Sequence, residues 1–131
     1  MTEKDRNKEI VRRAVELVLN EGQLEVVDEL YSAEMAPGVR DWIEPFRDEF
    51  PDVRMEVVEL IAEGDKVVAR FRCSGTHAGA WRGNPPTGRR FEDVDEVYIF
   101  TVRDGRIVGA WGIEDTLTRL RQLGLKGECC D

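Results

Sequence analysis

At Phe50-Pro51-Asp52 the spacing of apolar residues changes from about 3.6 to 2. That single switch constrains the fold most, because every helical series lies before it and almost every strand series after it. Such an order predicts an α+β domain rather than alternating β-α-β units. Upstream, Ile10, Val11, Ala14, Val15, Val18 and Leu19 share one helical face, and Asn20-Glu21-Gly22 supplies a stop. A second short helix carries Leu24, Val27, Leu30 and Tyr31 and ends before Ala36-Pro37-Gly38. The third series is Val39, Trp42, Ile43, Phe46 and Phe50, with Pro45 inside it. Taking Asp41 as N-cap and Glu44 at the third position puts that proline near the first turn, where its missing N–H costs least.

Downstream, residues 53 to 63 read as a strand whose apolar phase slips between Val57 and Val58, as at a β-bulge. Glu63-Gly64-Asp65 turns the chain into a second strand, where Val67, Ala69, Phe71 and Cys73 alternate with Val68, Arg70, Arg72 and Ser74. Residues 76 to 90 form an irregular loop of a length that is often functional. The strand from Phe91 to Val102 is apolar on both faces, with Val97 and Ile99 on one and Val94, Tyr98, Phe100 and Val102 on the other. This predicts a strand between two apolar bodies. Asp104-Gly105 is a hairpin signal, Arg106 to Ile113 returns as the last strand, and a helix from Asp115 to Leu123 ends at Gly124.

The chain has 131 residues, 19 Lys and Arg against 27 Asp and Glu, and a formal net charge of −8. One domain is expected over 1–131, with an ordered core from about 5 to 125 and a tail over 126–131. The acidity argues against nucleic-acid and anionic-lipid partners, which require a basic face. Cys73, Cys129 and Cys130 make no disulfide framework, and no apolar leader or membrane-length segment occurs. A cytoplasmic protein is therefore expected. One histidine and scattered cysteines give no zinc spacing, and no phosphate-loop motif appears, so no metal or cofactor is expected.

Three stretches carry a more specific signal. They are Gly75-Thr76-His77-Ala78-Gly79, then Gly83 to Arg90 (Gly-Asn-Pro-Pro-Thr-Gly-Arg-Arg), and Asp104-Gly105-Arg106-Ile107 with Trp111 and Arg121-Gln122-Leu123-Gly124. Together with the Glu21-Gly22 turn and the Phe50-Pro51-Asp52 junction, they resemble the SnoaL-like polyketide cyclases, or ester cyclases. The resemblance implies a nuclear transport factor 2-like cone: three N-terminal helices packed on a curved antiparallel sheet, with a short C-terminal helix. It also implies a homodimer paired through the outer sheet faces and a cofactor-independent intramolecular aldol reaction on a polyketide ester. In that family an Asp on the last strand acts as acid/base, near a His and a Gln on the preceding strand. Aligned through the Asp-Gly hairpin, the Gln position is Glu96, the His position Tyr98 and the Asp position Gly112. All three differ, and a glycine moves no proton.

If the matched face points inward, a pocket receives Glu96, Tyr98 and Phe100 from one strand and Val108, Ala110, Gly112 and Glu114 from the next. Small residues leave volume for a hydrophobic small molecule, and the two carboxylates bracket it. Burial beside apolar rings would raise the Glu96 pKa into the range of a general acid/base. The competing reading has Glu96 ion-paired with Arg70 or Arg72 across the sheet. Tyr98 is a hydrogen-bond donor to a carbonyl or enolate, or a packing residue. His77 is a proton shuttle or a structural loop residue. Arg70 and Arg72 either bind a ligand oxyanion or pair on the sheet. Trp42 is placed at the mouth and Trp81 in a lid, whereas Trp111 has outward parity and joins Val97 and Ile99 in the expected dimer contact. Two functions follow: proton transfer on a hydrophobic carbonyl compound, giving cyclisation or isomerisation, or ligand binding without chemistry.

Overall fold

A computed structural model describes residues 1–125; Cys129 and Cys130 lie outside the described residues. Thr2 starts the first helix, α1 (Glu3–Arg13), with a capping box: its hydroxyl accepts from the Asp5 N–H at 3.2 Å and its own N–H donates to the Asp5 carboxylate at 3.3 Å. The helix continues without a break into a wider π-helical segment, Ala14–Asn20. The predicted apolar face is the buried one, with Val11, Ala14, Val15, Val18 and Leu19 in the core. Asn20 then ties this helical end to the sheet, its side-chain amide bonding both the N–H (2.7 Å) and the C=O (2.9 Å) of Met55.

A 3₁₀ turn, Leu24–Val26, leads into the short α2 (Val27–Leu30). The third helix, α3, spans Ala36–Glu49 and corrects the expected start at Asp41. Its first turn holds Pro37, where a missing N–H is harmless, so Pro45 stands in the helix interior instead. Pro45 is exposed, and the carbonyl it leaves without an intrahelical donor belongs to exposed Asp41, where water can serve it.

The four strands, β1 (Arg54–Glu63), β2 (Lys66–Thr76), β3 (Arg90–Arg103) and β4 (Arg106–Glu114), form an antiparallel meander in sequence order. The expected β1 bulge is present as a register shift between Val57 and Glu59, and further shifts occur at Cys73/Gly75 and Thr101/Val102. Bulges bend and twist the strands they interrupt, which curls the sheet around the helices. The last shift also corrects a detail of β4. Ile107, and not Val108, takes the inward position near the hairpin and is fully buried. After Asp115, whose carboxylate accepts from Thr118 N–H at 3.1 Å, α4 (Thr116–Gln122) returns across β3 and ends at Gly124 with φ +74°.

The buried core runs between the helices and the inner sheet face. The expectation that β3 is buried on both faces does not hold for the chain alone: Val97 and Ile99 are each 38% exposed. The loop over 77–89 docks on the end of α3, where the Ala78 and Gly79 N–H groups both donate to Glu49 C=O at 3.0 Å. A Cβ at Gly79 would stand 2.7 Å from the Asp48 carbonyl, so glycine permits that approach. Among the described residues, no helix is long and apolar enough to cross a membrane.

Candidate active site

The helices do not fill the inside of the curled sheet. A cavity of about 630 Å³ remains, walled by Val15, Leu19, Val39, Ile43, Met55 and Phe71 and floored by Glu96, Tyr98, Phe100, Ala110, Gly112 and Glu114. The floor residues come from two paired strands at period-2 spacing, with Glu96 opposite Glu114, Tyr98 opposite Gly112 and Phe100 opposite Ala110. Trp42, 47% exposed, stands at the mouth, and Trp81 closes one side while itself only 7% exposed.

At one end of the floor four polar side chains meet. The Tyr98 hydroxyl donates to Glu96 Oε1 at 3.1 Å. Arg119 donates through Nη2 to Glu96 Oε2 at 2.7 Å and through Nη1 to Glu114 Oε1 at 2.9 Å. Arg119 has no solvent exposure and Glu96 only 2%. The guanidinium lies over the Phe91 ring at 4.7 Å, while its Nε is buried without a hydrogen-bond partner among the described residues. Burial, reinforced by the Glu114 carboxylate, pushes the Glu96 carboxyl above the usual range, and Arg119 only partly opposes this. Burial and the same two carboxylates push the Tyr98 phenol up, so it stays protonated and able to donate. For Arg119, burial acts against the charge, but Glu114 and Glu96 outweigh it and keep the guanidinium charged. The Cys73 thiol beneath this group is raised by burial to about 12 and is no nucleophile.

A raised carboxyl beside a protonated phenol and a fixed cation can accept or return one proton without solvent. Two carboxylates sharing one arginine also leave one negative charge uncompensated, which raises the affinity of the buried member for a proton.

The tertiary structure sorts the remaining candidates. Phe100, Gly112 and Glu114 face the cavity with Glu96 and Tyr98. Arg70 and Arg72 do not: both project from the outer face of β2 and approach Asp95 at 3.3 and 4.0 Å. The ion-pair alternative for Glu96 is thus corrected in its partner, Arg119 replacing both. Outward parity separates Arg70 and Arg72 from Glu96, which projects inward. His77 is fully buried and is not among the cavity-lining residues. Thr87 N–H donates to its Nδ1 at 3.2 Å, and Phe50 and Trp81 pack against its ring. Its place is inside the loop, not at the cavity.

Arg119 is the residue missed from the sequence. A signal existed, since Leu123 follows it at i+4, so the arginine lies on the apolar face of α4. Glu34, Glu49 and Arg82 also line the cavity and were not singled out. The Glu49 carboxyl is raised by burial and by neighbouring Asp48.

Residues 9–123 match the model of the SnoaL-like polyketide cyclase family. The chain belongs to that family. It is 32% identical over 106 residues to aklanonic acid methyl ester cyclase DnrD of Streptomyces peucetius, covering 81% of this chain and 71% of that protein. Against nogalonic acid methyl ester cyclase of Streptomyces nogalater the match is 36% over 73 residues, covering 56% of this chain and 54% of that protein. The fold is that of TsrD from Streptomyces laurentii, with TM-score 0.88, 28% identity, and 96% and 100% of the two chains covered. IdmH from Streptomyces antibioticus superposes at TM-score 0.79 with 32% identity, covering 91% and 99%. The nuclear transport factor 2-like cone is therefore the architecture of this SnoaL-like chain.

Within that architecture Gly112 has a structural cause. A Cβ built on it would lie 2.2 to 2.7 Å from three atoms of the Tyr98 ring. The tyrosine occupies the space that a side chain on β4 would need, so the residues at 98 and 112 are sterically coupled.

Proposed function

We propose that this SnoaL-like protein is a cofactor-independent cyclase that transfers protons on a hydrophobic carbonyl substrate of the polyketide-ester kind. The observation that carries the reading is the Tyr98–Glu96–Arg119–Glu114 group, centred on the buried Glu96 and Arg119, at the floor of a largely apolar cavity. In the reaction Glu96 takes a proton from the carbon beside a substrate carbonyl, and the C–H electron pair moves into an enolate. As Glu96 gains that proton, the Tyr98 hydroxyl turns from it to the enolate oxygen. The enolate carbon then attacks a second carbonyl of the same molecule, forming the C–C bond, and the resulting alkoxide takes the proton back from Glu96. Substrate and product are isomers, so nothing else is consumed. Glu114 and Arg119 remain in place throughout and hold Glu96 in position.

Gly112 supports a second reading, in which the cavity binds such a ligand without turning it over, because the position of the family acid carries no side chain. Turnover of a polyketide methyl ester by wild type and by Glu96→Gln separates the two. The cyclase reading expects a loss of kcat of about 10²-fold or more in the variant. Equal turnover removes Glu96 from the mechanism, and binding without turnover in the wild type supports the second reading. We further propose that two copies pair through the outer sheet face at Val97, Ile99 and Trp111, the last of which is 58% exposed.

A further inference from the structure

The cavity is less neutral than its apolar walls suggest. Among the described residues four carboxyl side chains line it, exposed Glu34 and half-buried Glu49 towards the rim, and buried Glu96 with the more exposed Glu114 at the floor. Two guanidinium groups stand against them, Arg82 in the lining and Arg119 buried behind the floor. Even with one proton held by Glu96, three carboxylates against two cations leave the described lining negative. Aromatic side chains share the rest of the surface with aliphatic ones: Trp42 stands at the mouth, Trp81 at the side, and Tyr98 stacks with Phe100 at 5.8 Å on the floor. Aromatic rings and carboxylates around one open-mouthed cavity are the two features that attract a cation and repel an anion.

We propose that the ligand of this cavity is an aromatic or polycyclic molecule bearing a basic nitrogen, bound as its cation, and that ligands with a free carboxylate are rejected. The proposal rests on the cyclase reading for the site itself and adds the charge class of what enters it. It also removes an electrostatic difficulty in that reading. Proton abstraction by Glu96 creates an enolate close to Glu114, and a positive charge carried by the substrate offsets it where the protein supplies only the Tyr98 hydroxyl as donor. The neutral polyketide esters suggested by the relatives' names are then tolerated ligands, and an amine-bearing one is preferred.

Three probes of one shape test this in the full chain: 9-(aminomethyl)anthracene, 9-(hydroxymethyl)anthracene and anthracene-9-carboxylate, titrated by fluorescence at neutral pH and low salt. The cation is expected to bind about tenfold tighter than the alcohol, and the carboxylate weaker than both. Raising salt should narrow the gap between cation and alcohol. Glu49→Gln and Glu34→Gln, at rim positions that the core does not depend on, should each narrow it by weakening the cation more than the alcohol. An alcohol that matches or exceeds the cation, a carboxylate that binds as tightly, or no binding by any probe overturns the proposal. The cyclase reading is judged separately, by turnover in Glu96→Gln. A cation preference with unaltered turnover keeps the ligand class and discards the proton transfer, and the reverse pair of results does the opposite.

Discussion

Where β3 and β4 meet beside Glu96 and Glu114, their two faces carry opposite chemistry, and there the polarity is the reverse of what burial alone would select. The inner face holds two carboxylates and a tyrosine, Glu96, Glu114 and Tyr98, beside a fully buried arginine. The outer face of the same strands holds Val97, Ile99, Trp111 and Ile113, all 38 to 62% exposed. Cross-strand register puts Val97 against Ile113 and Ile99 against Trp111, so the exposed residues form one continuous patch. The buried charge of Glu96 is balanced by Arg119, which also bridges to the more exposed Glu114, and the apolar surface outside suits the proposed pairing of two copies. Each face is therefore explained by something other than the stability of the isolated chain.

The largest effect is expected from breaking the inner face at its cation. Arg119→Met leaves Glu96 buried without its counter-ion and should cost about 3 to 5 kcal/mol in denaturant unfolding. A cost below about 1 kcal/mol would mean that Glu96 takes up a proton and needs no partner. Next is Gly112→Asp, which adds a carboxylate opposite Tyr98 but drives its Cβ into the Tyr98 ring. Overpacking of this kind costs about 1 to 3 kcal/mol. Combining it with Tyr98→Ala should recover a good part of that loss, and a purely additive double variant would show that the two positions are uncoupled.

A smaller effect concerns pH. The Glu96 carboxyl titrates above its ordinary 4.5 in the folded chain, so its protonated form contributes stability that is fully present below that value. This contribution is lost as pH rises through the elevated midpoint. Glu96→Gln should flatten that part of the stability curve, and a curve that keeps its slope would assign the titration elsewhere. Smallest for the fold is the outer face. Trp111→Lys should leave monomer stability within about 0.5 kcal/mol, yet shift the sedimentation of the protein from dimer to monomer. A wild type that sediments as a monomer at micromolar concentration would remove the proposed pairing.

Much of this contrast was legible before any coordinates. The period change at Phe50-Pro51-Asp52, the β1 bulge, the Asp-Gly hairpin and the outward parity of Trp111 all follow from local spacing, which a strand or helix preserves wherever it packs. The start of α3 was not legible, because Asp41 and Pro37 are both acceptable at helix N-termini and only packing selects between them. Nor was the inward shift from Val108 to Ile107, since a bulge opposite Thr101 and Val102 changes phase without marking the sequence. The missed Arg119 differs again: its position on the apolar face of α4 was readable, but the strand it would meet was not.

Sequence alone determined the order of elements, the α+β class, the family, and the identity of Glu96, Tyr98 and Gly112 at the aligned positions. These depend on local periodicity and on motifs that act through a few neighbouring residues. Only the tertiary structure decided which side chains meet. It sent Arg70 and Arg72 outward to Asp95, enclosed His77 in its loop, laid Tyr98 over Gly112, and brought Arg119 across 23 residues of chain to Glu96. Long-range pairing depends on how a curled sheet and a returning helix close on one another, and no local pattern encodes that closure.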